Sequence, residues 1–133
     1  MINKHVEKKL IAHAIKMIDR AQAQCSGYPV GASVLMENDV IIGGCNVESS
    51  SYGLTCCAER VAIYNAISNG LVSFKALAVA TKNGGAPCGA CRQIIWDYCG
   101  NIPVFILDKD GNNIKRFSKT LLPEAFDFKK LPS

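Results

Sequence analysis

The chain predicts an α/β fold: a single mixed five-stranded sheet packed by helices, with its last two strands forming an antiparallel hairpin. Three observations carry this. Short β-branched and apolar runs alternate with longer segments of helical periodicity. Two polar turn signals, Glu37-Asn38-Asp39 and Asp108-Lys109-Asp110-Gly111, each separate a pair of strand-like runs. At 133 residues, 49% hydrophobic and 20% charged, the chain has the size and composition of one domain spanning 1–133, with no repeat or linker.

The elements follow in order. Val6, Leu10, Ala14, Met17, Ile18 and Ala21 recur at helical spacing, so the first twenty-odd residues read as an amphipathic helix. Gly31 to Met36 and Val40 to Cys45 read as a strand hairpin, and a serine-rich loop runs from Glu48 to Gly53. Thr55 is placed to cap a helix from about Cys56 to Asn69, which Gly70 ends. Phe74 to Thr81 is an uninterrupted buried strand, Lys82 to Pro87 a loop, and Cys88 to Tyr98 a third helix after Pro87. Strands from Pro103 to Leu107 and Asn113 to Phe117 complete the order α-β-β-α-β-α-β-β.

Several function classes drop out. The net charge of +4 is scattered, with Lys8-Lys9 and Lys129-Lys130 near the ends, and no basic groove with interleaved aromatics is visible, so no nucleic-acid partner is expected. No apolar run spans a bilayer and charges interrupt the N-terminus, which gives the expectation of a cytoplasmic protein without a membrane partner. Seven cysteines, an odd count without an export signal, point to thiols and metal ligation rather than disulfides. Cys25, Cys45 and Cys99 read as buried or partly buried small hydrophobes, and His5 and His13 as helix-face residues.

The chemistry concentrates in Cys57-Ala58-Glu59 and Pro87-Cys88-Gly89-Ala90-Cys91, with thirty residues between Cys57 and Cys88. Cys57, Cys88 and Cys91 make a three-thiolate set at two helix starts, where free N–H groups favour the thiolate. Three protein ligands leave the fourth position of a zinc ion for water, the arrangement of a catalytic site. One Zn2+ per chain is expected. Three thiolates on a dication carry one excess negative charge, which Arg60 and Arg92, beside the two ligand groups, are placed to offset by donating to sulfur. Glu59, two residues past Cys57, faces away from the ligand direction. It reads as a proton carrier rather than a fourth ligand, with a helix-dipole role as the plainer alternative.

These motifs resemble the zinc-dependent nucleoside and base deaminases, and beyond the signature the chain is similar to the small tetrameric cytidine deaminases along nearly its whole length. Tyr28-Pro29-Val30-Gly31-Ala32, Gly44-Cys45-Asn46-Val47-Glu48, Ser51-Tyr52-Gly53-Leu54-Thr55, Ala86 to Gln93 and Leu121 to Phe126 carry the likeness. The resemblance implies a three-layer α/β/α fold and hydrolysis of cytidine or 2′-deoxycytidine to the uracil nucleoside and ammonia. It implies that Asn46 and Glu48 hold the ribose, that Tyr28 packs against the pyrimidine and that the backbone at Ala58 reads the base carbonyl. It also implies a homotetramer with shared active sites, in which Phe126 closes a neighbour's site and Tyr52 lies near a subunit boundary. Cys56 and Tyr28 depart from the asparagine and phenylalanine usual there. A deaminase of another aminopyrimidine nucleoside, such as blasticidin S, shares the zinc motifs. A non-catalytic zinc-stabilised binding module is the reading from a different class.

Overall fold

The computed structural model describes residues 2–132. Five strands form one sheet in the order β2-β1-β3-β4-β5: β1 Gly31–Met36, β2 Ile41–Cys45, β3 Phe74–Thr81, β4 Pro103–Asp108 and β5 Asn113–Phe117. β1 is antiparallel to both β2 and β3, β3 is parallel to β4, and β5 closes the edge as an antiparallel hairpin with β4.

Helices cover both faces. α1, Lys4–Met17, starts at Asn3, whose side chain accepts from Val6 N at 2.9 Å. Its buried Leu10 and Ala14 lie against Leu35, Ala76, Ala78, Ala80, Phe105 and Leu107. α2, Ala58–Ser68, and α3, Gly89–Cys99, cover the other face, packing Ala58, Ala62, Ile63, Ala66 and Ile95 on Val34, Leu77, Val79, Val104 and Ile106. β3 serves both layers because its side chains alternate: leucine and valine face α2 and α3, and three alanines face α1. A short α4, Ser118–Leu121, follows β5.

Topology decides where the helices begin. Because β2 and β3 are both antiparallel to β1, they point the same way, and each is followed by a helix on the same face. α2 and α3 therefore start at one end of the sheet. Gly31, the first residue of β1, pairs there with Cys45 on one side and Ala80 on the other, so residues 28–30 arrive at the same place. The site is assembled at that end.

α2 begins two residues later than the sequence suggests. Cys56 is held extended by an antiparallel bridge to Val47, with Val47 N donating to Cys56 O at 3.0 Å and Cys56 N to Val47 O at 2.9 Å. Cys57 takes the capping position, and Thr55 instead accepts from Ser49 N at 3.1 Å. The far end follows the sequence expectation: Gly70 (φ +81) turns the chain, Gly70 N bonds Ile67 O, and Leu71 N bonds Ala66 O.

Backbone proximity fixes α2 on the sheet. A Cβ at Gly44 would stand 2.4 Å from Ala62 N and 2.7 Å from Ala58 O. Gly44→Ala therefore has to push α2 off β2, and we expect a loss of about 1–3 kcal/mol in denaturant unfolding. An unchanged midpoint would mean that α2 moves freely over this strand.

Candidate metal centre

Cys57 and Cys88 are the capping residues of α2 and α3, both extended, and neither side chain caps its own helix. A cap cysteine that leaves its helix uncapped has its sulfur free to point elsewhere, and both sulfurs point at each other. Cys57 Sγ lies 3.8 Å from Cys88 Sγ, and with buried Cys91, one turn into α3, all three sulfurs fall within 4.8 Å.

The spacing suits zinc. Tetrahedral zinc with sulfur at about 2.3 Å sets its ligands about 3.8 Å apart, the separation of one pair here and within about an ångström of the others. Cys57, Cys88 and Cys91 are the one such cluster of possible ligands among the described residues. Both histidines lie on α1, away from it.

Charge is arranged around the trio. The Cys57 thiol is lowered to about 5 by the hydrogen bond from Cys91 and by the Arg60 and Cys88 donors, against the opposing effect of burial. Cys91 is pushed well up, because it is the donor in that bond and is buried. Arg60 Nη2 sits 3.5 Å from Cys57 Sγ and 3.4 Å from Thr55 O, and the thiolate raises the guanidinium further. Arg92 differs from the sequence expectation. Its Nε donates to Pro87 O at 2.8 Å and its Nη1 to Leu121 O at 3.1 Å, so it braces the chain before Cys88 and the end of α4 rather than a sulfur. Arg60 reaches back to the Cys57 sulfur, whereas the Arg92 fork is occupied by the two backbone carbonyls.

Glu59 stands in the first turn of α2 and is only 4% exposed. Burial pushes its carboxyl up to about 7, and the neighbouring Cys57 thiolate acts in the same direction. It lines a cavity of about 250 Å3 with Tyr28, Asn46, Glu48, Cys57 and Cys88. A cavity of about 310 Å3 lies elsewhere, beside Glu7, Lys75, Phe105 and Lys115. It is larger but contains no thiol; convergent groups of shifted acidity mark a reactive site better than volume.

The polar wall is more committed than its sequence suggests. Asn46 is buried; its Oδ1 accepts from Val30 N at 2.9 Å and its Nδ2 donates to Tyr28 O at 3.1 Å, so its amide holds the segment leading into β1. Glu48 Oε1 accepts from Cys25 N at 2.8 Å and Ser26 N at 2.9 Å, and its Oε2 accepts from Ser26 Oγ at 2.5 Å. The Ser26 hydroxyl, then the backbone donors, hold this carboxyl below its ordinary range. Ser26 and Thr81 also line the cavity and were not singled out in the sequence. Ser26 sits before Gly27 in a turn-like context, and nothing in that context announces a partner more than twenty residues away. Cys25, expected to be at least partly buried, is exposed: its N–H is tied to Glu48, and its sulfur lies over Ser49 O at the surface.

Three residues named from the resemblance are not among the side chains that line this cavity. Ala58, the first residue of α2, is fully buried between the lining residues Cys57 and Glu59, Tyr52 is 79% exposed, and Phe126 is 57% exposed with its carbonyl accepting from Gln93 Nε2 at 2.7 Å.

The sequence model described as the cytidine and deoxycytidylate deaminase zinc-binding region matches residues 4–106. A cytidine deaminase of Sporosarcina psychrophila is 45% identical over 122 residues, covering 90% of each chain. The crystal structure of a cytidine deaminase from Burkholderia pseudomallei superposes with a TM-score of 0.86 at 35% identity, covering 94% of this chain and 100% of that one. A blasticidin-S deaminase of Bacillus cereus is more distant, 31% identical over 107 residues, 72% of this chain and 75% of its own.

The sulfur geometry predicts one zinc per chain in elemental analysis of purified protein. Cys88→Ala should lose most of it, because two protein ligands hold zinc far more weakly than three. Full zinc retention in Cys88→Ala would remove that thiol from the ligand set.

Proposed function

Because the chain belongs to the cytidine and deoxycytidylate deaminase family, we propose that it hydrolyses cytidine and 2′-deoxycytidine to the uracil nucleosides with release of ammonia, the whole chain acting as one unit. The observation that carries this reading is a buried carboxyl, Glu59, beside three zinc-fitting thiols, at the floor of a cavity whose wall is a fixed, ionised Glu48.

When bound by Cys57, Cys88 and Cys91, zinc supplies an activated water at neutral pH. Glu59 would carry a proton to N3 of the ring, which makes C4 more electrophilic toward addition of water. Glu59 then delivers the second water proton to the amino group, the C4–N bond breaks, and ammonia leaves. One hydrogen ends on N3 and one on the ammonia, so the reaction balances as hydrolysis. A carboxyl titrating near 7 suits a group that must accept and donate in one turnover. Glu48, held by three donors, presents its remaining lone pairs to a sugar hydroxyl, and Asn46 supports the Tyr28 segment beside it. The Tyr28 ring is positioned to pack on the pyrimidine. Arg60 offsets the excess thiolate charge, and the backbone at Ala58 is assigned to the base carbonyl.

The cytidine reading is preferred over blasticidin S because the relatives that cover more of the chain carry the cytidine name. Seven free cysteines fit a reducing compartment, and no described helix is long and apolar enough to cross a membrane, so we place the protein in the cytoplasm.

A spectrophotometric cytidine assay tests the activity, and Glu59→Gln tests the role. That variant should keep its zinc and fold while kcat falls by about 100-fold or more. Turnover within tenfold of the parent protein would take the proton work away from Glu59.

We further propose a homotetramer with shared sites. Tyr52, Leu54, Phe126 and Phe128 are exposed by 79%, 74%, 57% and 57%, and exposed apolar side chains grouped in this way supply the material of an interface. Phe126 is assigned to a neighbour's cavity. Ending the chain after Leu122 removes the Gln93–Phe126 and Trp96–Asp127 contacts but leaves Arg92 bonded to Leu121 O. The shortened protein should keep its zinc, dissociate in light scattering and bind cytidine more weakly. An active monomer with unchanged KM would exclude shared sites.

A further inference from the structure

The loop from Lys82 to Pro87 joins β3 to α3 and delivers Cys88 to the metal centre. Two adjacent glycines, Gly84 (φ +76) and Gly85, make its backbone permissive. It is nevertheless tied down from far along the chain. The Tyr28 hydroxyl donates to Asn83 Oδ1 at 2.5 Å across fifty-five positions of sequence. Thr81 Oγ1 reaches the same oxygen at 3.4 Å and accepts from Gly85 N at 2.8 Å. The Lys82 ammonium stands 5.6 Å above the Tyr28 ring. A Cβ on Gly85 would lie 2.5 Å from the Tyr28 hydroxyl oxygen, so any side chain at residue 85 displaces the phenol from this position. Tyr28, Thr81, Gly85 and Cys88 are all cavity wall.

We propose that the Tyr28 hydroxyl and Asn83, with Gly85 making room for them, form a latch that holds the Lys82–Pro87 loop against the Tyr28 ring and sets the shape of the substrate cavity. Asn83 and Gly85 are positioning residues: they act through Tyr28 and the loop rather than on the reacting atoms. The proposal rests on the nucleoside-deaminase reading above for its kinetic effect, but not for the existence of the latch. A wall fixed before binding spares the ligand the cost of ordering it, so the effect belongs mainly to KM. A brace serving only stability would alter the melting temperature and leave KM alone.

The experiment uses zinc-loaded protein and the variants Tyr28→Phe, Asn83→Ala, Gly85→Ala and their pairs. Loss of one hydrogen bond predicts KM for cytidine about three- to tenfold higher in Tyr28→Phe and in Asn83→Ala, with a smaller change in kcat. The Tyr28→Phe/Asn83→Ala pair should be no worse than either single change. Gly85→Ala should raise KM in the parent chain and much less in Tyr28→Phe, because the ring carbon Cζ is at 3.6 Å, an ordinary contact. Amide exchange across residues 83–86 should quicken in each single variant with zinc content unchanged. Additive kinetic effects, or loop exchange equal to that of the parent, would overturn the latch. Absent cytidine turnover in the parent would defeat the functional reading instead, and loop exchange would still decide the latch.

Discussion

The parallel direction of β2 and β3 is the constraint on which the site depends. Each strand hands the chain to a helix on the same face, so α2 and α3 begin side by side, and their capping residues are Cys57 and Cys88. The separation of 3.8 Å between those sulfurs is a consequence of strand order, helix docking and cap placement together. The docking is tight because glycine on β2 and alanines on α2 allow backbone to approach backbone. A shift of α2 by one methyl thickness would open the thiol cluster without touching any ligand.

A second layer of polar bonds finishes what the sheet begins. The segment before β1 has no regular structure, yet Asn46 bonds Tyr28 O and Val30 N, and Glu48 gathers the donors of Cys25 and Ser26. Asn46 and Glu48 follow β2, and the bridge between Val47 and Cys56 ties that stretch to the start of α2. The polar cavity wall and the thiol cluster are thereby parts of one framework. Such networks hold a geometry firmly only when their members are satisfied, and Asn46 and Glu48 are.

Local patterns were legible in the sequence wherever they depend on neighbours in the chain. Phe74–Thr81 and Asn113–Phe117 match their expected strands residue for residue, because apolar continuity and the Asp-Gly turn act locally. The start of α2 was misread because Thr55 looks like a cap, whereas a bridge to Val47, nine residues before Cys56, keeps Cys56 extended. Ligand types and spacing pointed to the thiol trio. The partners of Arg92, Ser26 and Asn83 lie on distant segments, and no periodicity or spacing reports them. Adjacency to a ligand cysteine suggests the same task for Arg60 and Arg92, but only Arg60 reaches a sulfur, whereas Arg92 is taken up by the carbonyls of Pro87 and Leu121.

Glu59 shows how burial and charge divide the work among acidic groups in one cavity. Two glutamates line it, and their environments push them in opposite directions. Glu48 keeps three donors, which hold its carboxyl below the ordinary range, so near neutral pH it can only accept. Glu59 is buried beside a thiolate and its carboxyl rises to about 7, so both of its forms are within reach near neutral pH. The opposite shifts follow from the surroundings and not from the residue type, which is the same at both positions. Ser26 clamps Glu48 through its hydroxyl and its backbone N–H, while Glu59 sits buried beside the thiols, so one cavity holds two carboxyls shifted in opposite directions.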